Sequence, residues 1–178
     1  MRNPLDRMRL RSLYGQHNES IQTEHSTFGK VRNSGTRAHQ GWDLSATPGT
    51  PVYAISNGII CHAQAADHSN HFDHKGNYGR HIVLWFDYDQ KEFYAFYAHL
   101  QSVCVKTGDL VSEGDLIGLT GQSGLGASKL PLDQAHLHFE IRTIAKTNTG
   151  LKHHLNPTHF FSLPGGEDQC LDAPLVSS

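Results

Sequence analysis

Two runs of apolar and aromatic residues, RHIVLWFDY at 80–88 and KEFYAFYAHL at 91–100, decide the fold class of this chain. Each has the length and the β-branched and aromatic content of a strand. Shorter runs of the same kind, such as TPVYAIS at 50–56 and LIGLTG at 116–121, are separated from them by Gly, Asn and Asp. We therefore predict a mainly β fold of antiparallel strands joined by tight turns.

Length and charge limit the classes of protein that this chain can belong to. With 178 residues, 37% of them apolar, it can bury one core and is too short for two ordinary domains. Lys and Arg number 15 against 17 for Asp and Glu, a formal net charge of -2, so nothing indicates a nucleic-acid partner. The longest apolar run, IVLWF at 82–86, is far shorter than a membrane span, and we expect none.

The chain divides into three predicted segments. Residues 1–27 form an irregular lead-in with one short helix around 4–14, the packed domain covers 28–162, and 163–178 form a surface tail. The lead-in is charged and has no apolar run of the length that a secretory signal requires, so we expect no signal peptide.

Cysteine and histidine carry different information. Cys61, Cys104 and Cys170 are odd in number and have no C-x-x-C spacing, so we predict buried or partly buried free thiols. Histidine is the unusual component, with 14 residues. Because imidazole is the commonest metal ligand in proteins, this excess points to a metal site.

The stretch AHLHFEIR at 135–142 has the alternation of a strand with two different faces. One face is apolar, and the other carries His136, His138 and Glu140. Two imidazoles at i and i+2 stand close enough to serve one site. They could equally be polar residues on the solvated face of a half-buried sheet.

Three further residues have two interpretations each. His39 and Asp43 are either a hydrogen-bonded pair that fixes a loop or two metal ligands. The TPGTPV that follows at 47–52 predicts that a loop entering a sheet presents them. His99 lies at the end of an apolar strand, either as a satisfied rim histidine or as a catalyst.

Taken together, these residues match the needs of a catalytic zinc, which takes three protein ligands and keeps a position open for water. His39, Asp43 and one histidine of the 136/138 pair supply that number and leave two histidines for proton transfer. The residues themselves do not tell His136 from His138.

The order of these motifs resembles the lysostaphin/LytM-type zinc metallopeptidases, which cut peptide bonds in bacterial peptidoglycan. The similarity includes H-x-x-x-D, YAHL and H-x-H followed by Phe-Glu, together with FGKVR at 28–32, VKTGDLVSEGDLIGLTGQSG at 105–124 and NPTHFF at 156–161. It implies a zinc metallopeptidase domain over about 28–162. The implied fold is a twisted antiparallel β-sheet with a smaller β-layer forming a substrate groove, lysostaphin-like and of the barrel-sandwich hybrid type.

The resemblance also implies roles for individual residues. His39, Asp43 and His138 would be the ligands of one Zn²⁺ per chain, and His136 and His99 the catalytic histidines. The sequence leaves two roles open for Glu140: it either orients an imidazole or is a solvated charge at a strand end.

Two regions depart from the family pattern. Residues 62–77, HAQAADHSNHFDHKGN, are longer and richer in histidine than expected, and either shape the groove or bind a second metal. The first 27 residues match nothing in the family.

The function that the resemblance implies is hydrolysis of peptide cross-links in peptidoglycan, either glycine-rich bridges or the favoured D-alanyl–diaminopimelate bond. Without a visible signal peptide, we expect delivery to a target periplasm as an antibacterial effector with a cognate immunity protein. Phage-type lysis or a longer precursor are other routes to the wall.

Two other functions compete with a zinc endopeptidase. A non-catalytic regulator of the same fold, which binds the wall or activates an amidase, typically lacks metal ligands, whereas all five site residues are present here. An unrelated β-sandwich zinc hydrolase would require the extended motif match to be accidental.

Overall fold

The computed structural model describes residues 1–11, 23–66, 77–147 and 150–165. Within these ranges the regular structure is twelve strands and three single-turn 3-10 helices. The strands are β1 (Gly29–Arg32), β2 (Arg37–His39), β3 (Trp42–Ser45), β4 (Pro51–Tyr53), β5 (Gly58–Gln64), β6 (His81–Tyr88), β7 (Lys91–Ala98), β8 (Leu100–Val103), β9 (Leu110–Val111), β10 (Leu116–Thr120), β11 (His136–Arg142) and β12 (His154–Leu155). The 3-10 helices are Glu24–Ser26, Leu132–Gln134 and Pro157–His159.

The main sheet is antiparallel and follows the order β12-β11-β7-β6-β5-β9, with β3 also paired to β11. Its centre is the β6–β7 hairpin, built from the two runs that indicated the fold class. The hairpin turns at Asp89 and Gln90, which both have positive φ, as a tight two-residue turn requires. The predicted mainly β, antiparallel fold is confirmed.

A smaller sheet of β4, β10 and β8 packs against one face of the main sheet. Val52, Leu100 and Ile117 from the smaller sheet share one buried cluster with Leu84 and Phe139 from the main sheet. The core therefore lies between the two sheets, and the functional strand β11 turns its apolar side towards it.

The opposite face of the main sheet is also covered. All seven residues of β11 are buried, including the polar ones that the alternation placed away from the core. A second small cluster on this face contains Phe96 and Ala98 and is contacted by Tyr78. The polar groups of β11 are therefore held in a dry environment rather than on a solvated surface.

The first eleven residues pack on the domain instead of leading into it. Leu5 and Leu10 are buried in the main core. The backbone of residues 9–11 pairs with β3. The Ser45 N–H donates to the Arg9 carbonyl, and the Arg11 N–H donates to the Asp43 carbonyl. This pairing replaces the expected short helix over residues 4–11, and residues 12–14 lie outside the described ranges.

Two sequence expectations concern the surface. Cys61 is half-buried and Cys104 exposed, both as free thiols, so the expected burial of Cys104 is wrong because it follows β8 at the edge of the smaller sheet. Cys170 lies outside the described residues. Among the residues that are described, no helix has the length and apolar character needed to cross a membrane.

Candidate metal centre and active site

Three of the predicted site residues come together where β2, β3 and β11 meet. His39 ends β2, Asp43 lies in β3, and His138 of β11 pairs directly with Asp43 in the antiparallel register. Their donor atoms all lie within 4.8 Å of one another. The expectation of a loop platform is wrong, since the first two residues sit on strands joined by a two-residue link.

A glycine makes this short link possible. A Cβ added to Gly41 would stand 2.0 Å from the carbonyl oxygen of Phe139 on β11. Any side chain here would push β3 away from β11 and separate Asp43 from His138.

The hydrogen bonds of His39 determine which ring nitrogen is available. Its Nδ1–H donates to the Thr27 carbonyl at 2.8 Å, because a carbonyl oxygen can only accept. The Nε2 lone pair then points at Asp43 Oδ1, 3.0 Å away, and at His138 Nδ1, 3.2 Å away. Burial lowers the pKa of His39, which favours this neutral form.

His138 presents its other nitrogen. Its Nε2–H donates to Glu140 Oε1 at 2.7 Å, which leaves Nδ1 facing Asp43 Oδ1 at 2.8 Å. Burial lowers the pKa of His138, but hydrogen bonds to Asp43 and Glu140 outweigh burial and raise it to about 8. Ligation of a metal at Nδ1 requires the neutral imidazole. The one proton of that ring then stays on Nε2, where it is hydrogen-bonded to Glu140.

This donor set fits zinc. Zn²⁺ binds imidazole nitrogen and carboxylate oxygen at about 2.0–2.2 Å in a tetrahedral arrangement, which separates neighbouring donors by about 3.3 Å. The three separations between the donor atoms of His39, Asp43 and His138 are 2.8, 3.0 and 3.2 Å. The two acceptor atoms His39 Nε2 and Asp43 Oδ1 repel each other unless a cation lies between them.

The second oxygen of Asp43 is held by two arginines that the sequence analysis did not identify. Arg11 Nη2 donates to Oδ2 at 2.8 Å, and Arg32 Nη2 donates to the same atom. Burial alone raises the pKa of the Asp43 carboxyl, but the imidazoles of His39, His136 and His138 outweigh burial and hold it well below its ordinary value. Asp43 is therefore ionised.

Glu140 lies behind His138 and contacts four side chains. Oε1 accepts hydrogen bonds from His138 and from the Tyr78 hydroxyl at 2.9 Å, while Oε2 accepts from Arg142 Nε at 2.6 Å and lies 3.1 Å from His154 Nε2. Burial raises the pKa of Glu140, but the Arg142 charge and these donors hold it well below its ordinary value. The fully buried carboxylate is an orienting group for the imidazole, not a solvated charge.

His136 faces the three ligands with an unprotonated nitrogen. Its Nδ1–H donates to the Gln134 carbonyl at 3.0 Å, and its Nε2 lies 3.7 Å from Asp43 Oδ1. Burial lowers the pKa of His136 to about 4, so the ring is neutral near pH 7. Its exposed lone pair can accept a proton inside the site.

His99 completes the group from the junction of β7 and β8. Its φ of 64° accompanies a bend in the chain between the two sheets, and its Nδ1–H donates to the Ser123 carbonyl at 3.0 Å. The ring centroid lies 4.9 Å from that of His136 and 5.9 Å from that of His138. Burial and the neighbouring imidazoles hold the pKa of His99 well below its ordinary value.

All five predicted residues line one cleft of about 530 Å³. On one side of them the cleft is lined by Arg11, Arg32 and Arg37, and elsewhere by residues that include Tyr78 and Gly126. Of these additional residues, Arg32 lies in the quoted FGKVR motif, whereas Arg11 lies in a segment that matched no pattern.

The histidine-rich insertion 62–77 is described only at its two ends, residues 62–66 and 77. Asn77 lines the cleft, consistent with an insertion beside the site. The suggestion of a second metal rests on four histidines and two aspartates: His62, His68, His71, His74, Asp67 and Asp73. All of them except His62 lie outside the described residues, so the suggestion stays a prediction.

Comparison with known proteins identifies the class of the chain. The sequence profile of Peptidase family M23 matches residues 37–157, and the chain belongs to that family. The family assignment and the His-Asp-His donor set agree on zinc as the cofactor.

Individual relatives agree with this assignment. The peptidoglycan DD-endopeptidase ShyC of Vibrio cholerae is 30% identical over 143 residues, which are 79% of this chain and 26% of the relative. The glycyl-glycine endopeptidase ALE-1 of Staphylococcus capitis is 32% identical over 110 residues, 62% of this chain and 26% of the relative. The chain thus spans about a quarter of the length of these curated relatives.

Among solved structures, the catalytic domain of lysostaphin from Staphylococcus simulans superimposes with a TM-score of 0.55 at 28% identity. The alignment covers 75% of this chain and 87% of that domain. The lysostaphin-like fold class predicted from the sequence is confirmed.

Proposed function

We propose that the protein is a zinc-dependent endopeptidase that hydrolyses peptide cross-links of bacterial peptidoglycan. The observation that carries this proposal is the meeting of a three-ligand donor set and two neutral histidines in one cleft. In this assignment His39, Asp43 and His138 are the metal ligands, and His136 and His99 are the catalytic histidines. The names of the relatives, which include peptidoglycan endopeptidases, support the substrate.

Zinc bound at this site supplies Lewis acidity, which polarises a peptide carbonyl and makes water nucleophilic near neutral pH. His136 acts as the general base. Its Nε2 accepts the proton of the attacking water, while its Nδ1–H stays on the Gln134 carbonyl and keeps the ring in place. The ring is unprotonated when the reaction begins, because burial lowers its pKa to about 4.

His99 acts later, on the tetrahedral species or on the leaving amine. Its Nε2 also begins without a proton, since Nδ1–H is engaged by the Ser123 carbonyl. Once Nε2 takes up a proton, it becomes a donor that can hydrogen-bond to the developing oxyanion or protonate the departing nitrogen. Contact with His136 places the two groups close enough to share this proton transfer.

For the bond that is cut, we propose the D-alanyl–diaminopimelate cross-link rather than a glycine-rich bridge. The support for this choice is that the DD-endopeptidase ShyC matches 79% of the chain. A separate proposal, an antibacterial effector with an immunity protein, rests on the sequence analysis. Expression with and without a periplasmic signal tests it, and toxicity confined to the cytoplasmic form would contradict it.

Digestion of isolated peptidoglycan tests the enzymatic proposal. Wild-type protein should remove cross-linked dimers, seen by mass spectrometry of the fragments, and His136→Ala should slow this by about 100-fold or more. Purified protein should carry about one zinc per chain. Unchanged fragments together with tight binding to sacculi would instead establish a non-catalytic wall-binding regulator.

A further inference from the structure

Three arginines form one side of the cleft, beside the metal centre, and we call this the basic wall: Arg11, Arg32 and Arg37. Arg11 follows the extended N-terminal segment, Arg32 ends β1, and Arg37 begins β2. Among the described residues that line the cleft, Asp43 is the only acidic side chain. The wall is therefore positive, although the whole chain has a formal charge of -2.

The charge of the wall is not balanced by Asp43. Arg11 and Arg32 both donate to the same oxygen, Oδ2, so two guanidinium groups share one carboxylate. The other oxygen, Oδ1, faces His39 and His138.

Arg11 also has unused donors. The residue is 4% exposed, and its Nε and Nη1 have no hydrogen-bond partner in the described structure. Buried N–H groups without an acceptor are costly, and a charged donor more so. Arg32 is a fifth exposed at its side chain, and Arg37 is exposed, so the wall is open to a ligand at these two residues.

The rest of the cleft differs in charge. Residues 77 and 78, Gly126 and Thr147 line it with neutral groups. Among the described residues, the arginines of the cleft therefore come only from the N-terminal segment, β1 and β2, so positive charge is unevenly distributed around a bond held at the metal centre. A carboxylate on one side of that bond would fix the direction in which the peptide binds.

We propose that the basic wall is a carboxylate-binding subsite, which selects peptides that carry a free carboxylate beside the scissile bond. Arg32 and Arg37 contact the carboxylate directly, and the buried Arg11, which shares one Asp43 oxygen with Arg32, adds to the positive charge. The inference rests on the proposed function and adds a substrate class to it: anionic peptide stems rather than neutral or amidated ones.

Two synthetic cross-linked peptides that differ only in this carboxylate, free in one and amidated in the other, provide the test. Wild-type holoenzyme should show a kcat/KM about tenfold to hundredfold higher for the free acid, mostly through KM. Arg37→Gln, which does not touch Asp43, should lose much of this preference while it keeps its zinc. Lys91→Gln is the matched control, because it removes one positive charge from the exposed start of β7, outside the cleft.

Calorimetric binding of both peptides to His136→Ala separates this proposal from the proposed function. If wild type cleaves neither peptide but the variant binds the free acid more tightly, the subsite stands and the endopeptidase proposal fails. Equal kcat/KM and equal binding for both peptides would overturn the subsite. So would a wild-type preference that survives in Arg37→Gln and Arg32→Gln, because the arginines would then serve only to hold Asp43.

Discussion

The two buried carboxylates of the site, Asp43 and Glu140, have the same charge and both contact His138, yet their surroundings differ. Asp43 has arginine donors on Oδ2 and turns Oδ1 towards ring nitrogens that lack protons or must lose them. Glu140 has both oxygens occupied by N–H and O–H donors.

We propose that this difference separates a metal ligand from an orienting group. The Asp43 oxygen that faces ring lone pairs is favoured only with a cation between them, which supports Asp43 as a ligand. Glu140 meets donors with both of its oxygens, which supports a role in holding a proton on His138 Nε2.

Replacement of Asp43 should have the largest effect. In Asp43→Asn we expect zinc content below about a tenth of wild type, because the amide offers a weaker ligand and Arg11 and Arg32 keep their charge. Stability should also fall by about 3–5 kcal/mol, because one partner of a buried ion pair is lost. Metal analysis and thermal unfolding measure the two effects.

Asp133→Asn is the matched control, since this aspartate is exposed in the 3-10 helix Leu132–Gln134. A folded Asp43→Asn protein with a full complement of zinc would show that Asp43 is not a ligand.

Removal of zinc from wild type should have the next largest effect. The acceptor atoms of His39 and Asp43 lose the cation between them, so a chelator should lower stability by about 4 kcal/mol when free zinc was a thousandfold above its Kd. Unfolding curves with and without chelator measure this difference. The Asp43→Asn variant should show almost no shift, and a shift equal to wild type would contradict the ligand assignment.

Glu140→Gln should weaken zinc binding without abolishing it. Loss of the orienting carboxylate should reduce zinc affinity by about 10- to 100-fold. Peptidoglycan hydrolysis should recover when excess zinc is supplied, which distinguishes an orienting role from general misfolding. Competitive titration with a chromophoric chelator gives the zinc affinity. An unchanged affinity would contradict the proposed orienting role of Glu140.

Tyr78→Phe should have the smallest effect, because it removes one donor to Glu140 and leaves those of His138 and Arg142 in place. A lost hydrogen bond to a charged acceptor corresponds to about 1.5–3 kcal/mol, of which only part should reach the zinc affinity. We expect a change of about threefold, measured by the same titration. Tyr88→Phe, at an exposed strand end, is the control and should bind zinc as wild type does.

Much of the fold was predictable because its signals are local. The alternation of β11 and the apolar runs of β6 and β7 appear in consecutive residues, and the turn at Asp89 and Gln90 lies between them. The five candidate site residues were predictable as a set because their order and spacing match a family pattern. Their separate roles were not visible in the residue types.

In the short N-terminal segment, the local sequence pattern did not predict the observed structure. Its residues 4–11 suggested a helix, but the backbone pairs with β3 instead, and that pairing brings Arg11 to Asp43. No pattern within the segment encodes a partner that lies more than thirty residues away. The packing of Leu5 and Leu10 in the core outweighed the weak local preference.

The sequence by itself determined the β-rich class, the single core and the identity of the five histidine and aspartate side chains of the candidate site. Only the tertiary structure decided their arrangement. The register of β11 against β3 sets His138 opposite Asp43 and His136 opposite Ser45, a distinction that two histidines on one strand face cannot carry alone. The register of β11 against β3 depends on pairing between distant residues and on the close approach of Gly41 to the Phe139 carbonyl. It is therefore fixed only when the two strands come together in the folded chain.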